Sequence, residues 1–233
     1  MSTCVFLSFR LGQGRTIDEV ERTKLDAVLR TTPKLEKALV HTATAFDDTI
    51  FKDGKPPDLV VQLYFATLPD LEAAFAKGGH LNALTSRGEF PAMADAEVSQ
   101  QAMMVRSFPV PEPRAASETP YCTFLVSYEG EAEDLNAWLS HYLESHSGFL
   151  ARLPGIRELE IYTRLDWVSA FACPRVHFMQ RNKVAFDSTG ALSAALRAPI
   201  RNELRADVQR FPPSTGPVNH FAMATRLVRG ALP

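Results

Sequence analysis

Two rhythms of apolar and polar positions share this chain of 233 residues. Cys4–Arg10, Leu35–Phe46, Asp58–Thr67 and Glu97–Phe108 are dense in apolar and β-branched residues, which predicts strands. Between them, Thr16-Ile17-Asp18-Glu19 reads as a capping box, with Thr16 as N-cap and Glu19 three residues on. The helix it opens should reach about Thr31, before Pro33. Leu68–Thr85 predicts a second helix with a break at Gly78-Gly79. The 47–57 segment holds Asp-Gly and Pro-Pro and reads as a loop. The order is βαββαβ.

That order then recurs. Strands are expected over Tyr121–Tyr128, Ile156–Arg164, Lys183–Asp187 and Val218–Val228, and helices over Asp134–Leu153 and Gly190–Gln209, the latter interrupted at Pro199. The residues repeat too. Cys4-Val5-Phe6-Leu7 matches Cys122-Thr123-Phe124-Leu125 at an offset of 118. Pro33, Thr42, Phe65 and Phe90-Pro91 match Pro154, Thr163, Phe186 and Phe211-Pro212 at 121, and Ala102-Met103 matches Ala222-Met223 at 120. A near-constant offset along a chain implies two copies of one fold. The expected organisation is a repeat over 1–108, a stiff linker over 109–120 marked by Pro109, Pro111, Pro113 and Pro120, and a second repeat over 121–233.

Each copy reads as the split βαβ unit of the ferredoxin-like fold, an α+β class with an antiparallel sheet and both helices on one face. The bare sheet face needs a cover, and the equivalent face of the other copy supplies it, closing an α/β barrel within one chain. A further homodimer could bury any remaining edge.

A net charge of −2 with dispersed Lys and Arg argues against nucleic acid as partner. No apolar run approaches a membrane span, and the N-terminus lacks the pattern of a signal peptide. Three cysteines without CxxC spacing fit a reduced, cytoplasmic setting.

The richest chemistry lies in the first helix of the second copy. Leu135, Trp138, Leu139, Tyr142, Leu143, His146, Phe149, Leu150 and Leu153 form one apolar stripe. His146 lies on it. His141 falls about 140° away on an α-helix and should meet solvent. A buried imidazole needs a hydrogen-bond partner, so packing alone could explain it. The first copy is a control: at the 121 offset, His146, Trp138 and Tyr142 are replaced by Leu25, Ile17 and Glu21. The second copy therefore puts an aromatic and ionisable cluster where the first has none, which marks His146 as the candidate general acid or base. Trp138, Tyr142 and Phe149 are candidate pocket walls, and Tyr162, Trp167 and His177 candidate substrate contacts from the strand and loop that follow. Trp167 could equally be a hydrophobic plug. Glu158 and Glu160 read as a solvated or interface edge, and Arg226, repeated as Arg106, as a structural or interface residue.

No P-loop, dinucleotide fingerprint, HExxH or nucleophile elbow occurs, and no histidine pair has metal-ligand spacing. No metal or cofactor is therefore expected. A haem held by a histidine is the weakest alternative, because no haem-attachment pattern is present.

The stretch Trp138–His146, the Leu150–Ile156 turn with its Leu-Pro-Gly, and Ile161-Tyr162 together resemble the family named for ethyl tert-butyl ether degradation, EthD-like. In that family a histidine on an aromatic-rich first helix precedes a Leu-Pro-Gly turn by about eight residues, the spacing of His146 from Pro154-Gly155. The first copy matches in strand order and Pro33 but lacks the histidine and the glycine. The resemblance implies the dimeric α/β-barrel superfamily, whose members include isomerases, cofactor-free monooxygenases, haem proteins and proteins without known activity. It implies a ligand between helices and sheet: a small apolar, aromatic or lactone-like molecule, bound by a cofactor-independent enzyme or by a non-catalytic accessory protein of a degradative pathway.

Overall fold

A computed structural model describes residues 2–46, 51, 53–114 and 119–230. The first half runs β1 (Thr3–Arg10), α1 (Glu19–Thr31), β2 (Leu35–Ala43), β3 (Leu59–Phe65), α2 (Leu68–Phe75), a 3₁₀ segment (His80–Thr85), α3 (Pro91–Ala94) and β4 (Glu97–Phe108). The second runs β5 (Tyr121–Tyr128), α4 (Leu135–His141), a π-helical turn (Tyr142–His146), α5 (Ser147–Leu150), β6 (Ile156–Arg164), β7 (Gln180–Phe186), α6 (Thr189–Arg197), α7 (Ile200–Val208) and β8 (Val218–Arg229). The loop read over 47–57 and the linker read over 109–120 fall partly outside the described residues, as do the last three positions of the second repeat.

Local sequence explains most boundaries. The cap of α1 is Asp18 rather than Thr16: its side chain accepts from the Glu21 backbone N–H at 2.8 Å. Aspartate is a strong N-cap, and its charge also favours the positive helix terminus. Gly78 and Gly79 separate α2 from the 3₁₀ segment, and Pro199 separates α6 from α7.

Eight antiparallel strands close a barrel in the order β1-β3-β2-β8-β5-β7-β6-β4. Each half contributes a four-stranded sheet, and the β2–β8 and β4–β6 pairings join the halves at two seams. Period-two alternation then sorts the side chains. In β1, Val5, Leu7 and Phe9 pack outward under the first half's helices, while Cys4 and Phe6 join a core inside the barrel with Tyr64, Met103 and Tyr162. A separate outer core packs the second half's helices on its sheet.

The pairing register corrects the repeat alignment at one strand. Cys4 lies opposite Tyr64, whereas Thr123 lies opposite Ala185, the 121-offset counterpart of Tyr64. Cys4 therefore corresponds to Thr123, not Cys122, and the offset there is 119. Cys4 faces the barrel interior and Cys122 the helices. A slip of one residue in a strand exchanges its faces.

Glu160 is not a solvated edge residue. Barrel closure pairs β6 on both sides and turns Glu160 inward. Its carboxylate accepts from Tyr64 Oη at 2.5 Å and Tyr162 Oη at 2.6 Å, and pairs with the buried Lys183 ammonium at 2.7 Å. Lys183 also reaches Glu158 at 3.0 Å. Nearby, His41 Nδ1 meets Thr225 Oγ1 at 2.8 Å and its Nε2 meets Gln62 Oε1 at 3.2 Å. Burial depresses the His41 pKa to about 3, with the Lys183 charge adding to the shift. Burial is costly for Glu160, yet the Lys183 and Lys37 charges and its hydrogen bonds hold it well below the usual carboxylate range.

Candidate functional site

The π-helical turn shapes the site. Ser147 N–H bonds the Tyr142 carbonyl five residues back. Such an i→i+5 turn brings residues five apart nearly into register, where an α-helix splays them. His141 and His146 consequently converge on one carboxylate, Asp207 in the last turn of α7. His146 Nδ1 lies 2.8 Å from Asp207 Oδ2, His141 Nε2 lies 3.0 Å from Oδ1, and Ser145 Oγ donates to Oδ1 at 2.9 Å. His141, expected in solvent, is thus a partner of the buried acid.

Asp207 is only 1% exposed and His146 5%. Burial lowers the His146 pKa and outweighs the opposing pull of Asp207. Burial raises that of Asp207, but the hydrogen bonds from His146 and Ser145 and the favourable electrostatics of the two adjacent imidazoles leave it below the ordinary value. At neutral pH the result is an aspartate accepting from the Nδ1–H of a neutral imidazole, which leaves Nε2 as the basic nitrogen.

The His146 ring lines a cavity of about 590 Å³ between the helices and the outer face of the second sheet. Its walls are mostly apolar: Phe124, Val184 and Phe186 from the sheet, Leu150, Leu192 and Leu196 from the helices. The size and lining fall in the range of small-molecule sites. Polar groups enter at His146, His220, Arg201 and Arg205. Among the described residues no cluster of His, Cys, Asp and Glu is arranged to hold a metal ion.

Trp138 and Tyr142 stand behind the histidine. Their rings stack at 5.2 Å, Tyr142 contacts the His146 ring at 4.8 Å, and Phe211 packs edge-on against both His141 and His146. The Tyr142 hydroxyl bonds Asn182 on β7. These aromatics brace the imidazole, while Tyr128 is the ring of this group that reaches the cavity. Phe149 is half-buried under the Arg152 guanidinium and does not line it. Tyr162 lies inside the barrel on Glu160, away from the helix layer. Trp167 and His177 share a different, small pocket of about 130 Å³.

Trp167 has a clear packing role. The segment between β6 and β7 crosses to the first half, where Trp167 and Phe171 pack edge-on against Phe75. Leu25, Leu63, Phe65, Leu71 and Phe75 are the first-half counterparts of His146, Val184, Phe186, Leu192 and Leu196, and all lie in that filled core. The first half thus packs the space beside Leu63, Phe65, Leu71 and Phe75 that the second half leaves open, while Leu25 also borders a separate cavity of about 440 Å³ with Ile17, Val40 and Arg226.

Asp207 and His220 escaped the sequence reading as site residues. A signal for Asp207 existed: it follows Ile200 and Leu204 at i+7 and i+3 on the apolar side of its helix, and its counterpart is Ser86. An acid in the last turn opposes the helix dipole, so a cationic or proton-donating partner was implied. Nothing along the chain located that partner.

No family model matches this sequence, and no curated protein matches it. Solved structures do. An anthrone oxidase-like protein is 14% identical, with 97% of this chain and 93% of that one covered at a TM-score of 0.63. A mutant chlorite dismutase from Candidatus Nitrospira defluvii is 10% identical over 95% of this chain and 91% of its own, at a TM-score of 0.55. An EthD-family protein from Bacillus halodurans is 21% identical, but it covers 42% of this chain and 96% of its own at a TM-score of 0.34, too low to carry an argument. Likeness at these identities establishes architecture: the chain has the α/β-barrel fold of dimeric ferredoxin-like proteins, with both sheets supplied by one polypeptide.

Proposed function

We propose that the second half binds a small, mostly apolar carbonyl compound, aromatic or lactone-like, and that His146 removes an acidic C–H proton from it without a cofactor. One observation carries this reading: a neutral imidazole, oriented by a buried carboxylate through Nδ1, lines an apolar cavity large enough for such a ligand. Orienting one ring nitrogen on a carboxylate makes the other a competent general base. A carbanion or enolate formed there would serve an isomerisation, a dehydration or a monooxygenase-type reaction. The EthD-like resemblance of residues 138–162 and the name of the anthrone oxidase-like neighbour are in keeping with this chemistry.

Anthrone and α-angelica lactone are suitable carbon-acid probes, incubated without oxygen in D₂O. The protein should accelerate deuterium entry at the acidic carbon, and His146→Ala should abolish the acceleration while still binding the probe. Binding without exchange in the unaltered protein would instead mark a non-catalytic binding protein of a degradative pathway. A Soret band in the purified protein would show a haem held by His146 or another histidine and overturn the proposal.

A further inference from the structure

A second imidazole–carboxylate pair reaches the same cavity. His220, on β8, lines it together with His146. Its Nδ1 lies 2.6 Å from Asp53 Oδ2, and the same oxygen accepts the His220 backbone N–H at 2.7 Å. The ring stacks on Phe51 at 3.9 Å with 17° between planes. Asp53 and Phe51 belong to the connection between β2 and β3, in the first half of the chain. The second half's cavity is therefore completed by the first.

The crossing is reciprocal, but its chemistry is not. The pairing register makes Gln100 the counterpart of His220 at an offset of 120. Gln100 donates to the Phe171 and Cys173 carbonyls of the opposite connection, at 3.1 and 2.8 Å. An amide pinning a backbone thus occupies the place that the second half gives to an imidazole on a carboxylate. His146 and His220 both replace non-titrating residues, Leu25 and Gln100, and both face the one cavity. His220 also borders a smaller pocket of about 230 Å³ that Asp53 and Thr44 share, so the pair has a second side for proton exchange.

We infer that His220, positioned by Asp53, is the acid partner of His146 on an enolisable ketone or lactone. This rests on the base role proposed above. The α-C–H bond breaks and its proton goes to His146 Nε2. The C–H electron pair becomes the C=C bond, the carbonyl π pair moves to oxygen, and that oxygen takes a proton from His220, which must enter the step as the imidazolium. The product is the enol, and nothing is oxidised or reduced. One imidazole has gained a proton and the other lost one, and exchange with water restores both. A paired acid and base lets such a site avoid a free enolate.

The test uses the full chain with anthrone in anaerobic D₂O, and with 2-naphthol as an enol mimic that cannot turn over. His220→Asn should lower the exchange turnover about 100-fold with KM within about threefold, the size of an acid-catalytic contribution. Asp53→Asn should lower it about tenfold, with recovery in Asp53→Glu, as expected of a positioning residue. In ring-labelled protein, 2-naphthol should move the His220 and His146 resonances together. His220→Asn exchanging within twofold of the unaltered protein overturns the inference. So does naphthol moving the His146 resonances alone. An unaltered protein that exchanges no probe overturns the base assignment of His146 and this inference with it, whereas exchange lost in both His146→Ala and His220→Asn supports both, and exchange lost in His146→Ala alone overturns this inference and leaves the base assignment standing.

Discussion

Asp207 Oδ2 and His146 Nδ1 stand 2.8 Å apart although 61 residues separate them, one on the last turn of α7 and the other on a π-helical turn. The carboxylate also serves His141 and Ser145, so Asp207 is the hub of the cluster and His146 its arm into the cavity. Asp207→Ala leaves those donors without their acceptor in a buried space, and the unfolding free energy should fall by about 2–4 kcal/mol. Asp207→Asn should fold better yet lose about 10- to 1,000-fold of any proton-abstraction rate, since the amide can hold His146 in the wrong tautomer. Nitrogen shifts of labelled His146 report the tautomer, and Nε2–H in the unaltered protein would contradict the arrangement.

Stability should fall steeply on mild acidification. His41 is held near pKa 3, against 6.5 when free. At pH 5 the unfolded chain therefore binds about one more proton than the native one, a slope of about 1.4 kcal/mol per pH unit. His146, also lowered, adds in the same direction below 6.5. The depressed carboxylates Glu160 and Asp207 do too, because native carboxylates then bind fewer protons than unfolded ones as pH falls. Urea titrations at pH 7, 6 and 5 measure the slope. His41→Gln should remove most of its pH 5 component, and a flat profile would rule out a neutral buried His41.

Lys183 and Glu160 are both buried inside the barrel at 2.7 Å. Lys183→Met leaves the buried carboxylate only the more distant Lys37 ammonium, at 3.5 Å, as cationic partner and should cost about 3 kcal/mol. Adding Glu160→Gln should restore much of that, because the under-compensated buried charge disappears. A double-mutant cycle with no coupling would show that the pair acts independently.

Lys34 takes φ 60°, and Gly155, its counterpart at the 121 offset, takes φ 72°. The first half keeps the left-handed turn of the Leu-Pro-Gly signature without the glycine. A left-handed side-chain residue costs about 1–2 kcal/mol, and glycine in the unfolded chain loses about 0.4–1 kcal/mol more entropy on folding. Lys34→Gly should therefore stabilise the protein by about 0.5–1 kcal/mol, read as a raised thermal midpoint. Gly155→Lys should do the reverse.

Element order and most boundaries could be read from the sequence because strand alternation, capping residues and proline breaks are local. β4, β5 and β6 fall on the expected residues, and the Pro199 break separates two helices as expected. His146 was readable because the internal repeat offered Leu25 for comparison. Its partner was not. Asp207 sits on another element, and only the packing of α7 against the π turn brings the two together. The same turn defeated the helical-wheel placement of His141, since a wheel assumes α geometry throughout.

Taken alone, the sequence determined two βαββαβ halves, an apolar stripe carrying one unmatched histidine, and the prolines and glycines where elements break. These follow from backbone preference and from the periods of 2 and 3.6, which any short window contains. Tertiary structure decided which face Cys4, Glu160 and Tyr162 present, that Trp167 and Phe171 pack against Phe75 where the second half keeps its cavity, and that Asp53 reaches His220. Those outcomes depend on strand register and on two connections that cross from one half to the other, and no local pattern encodes a contact between residues more than 160 positions apart.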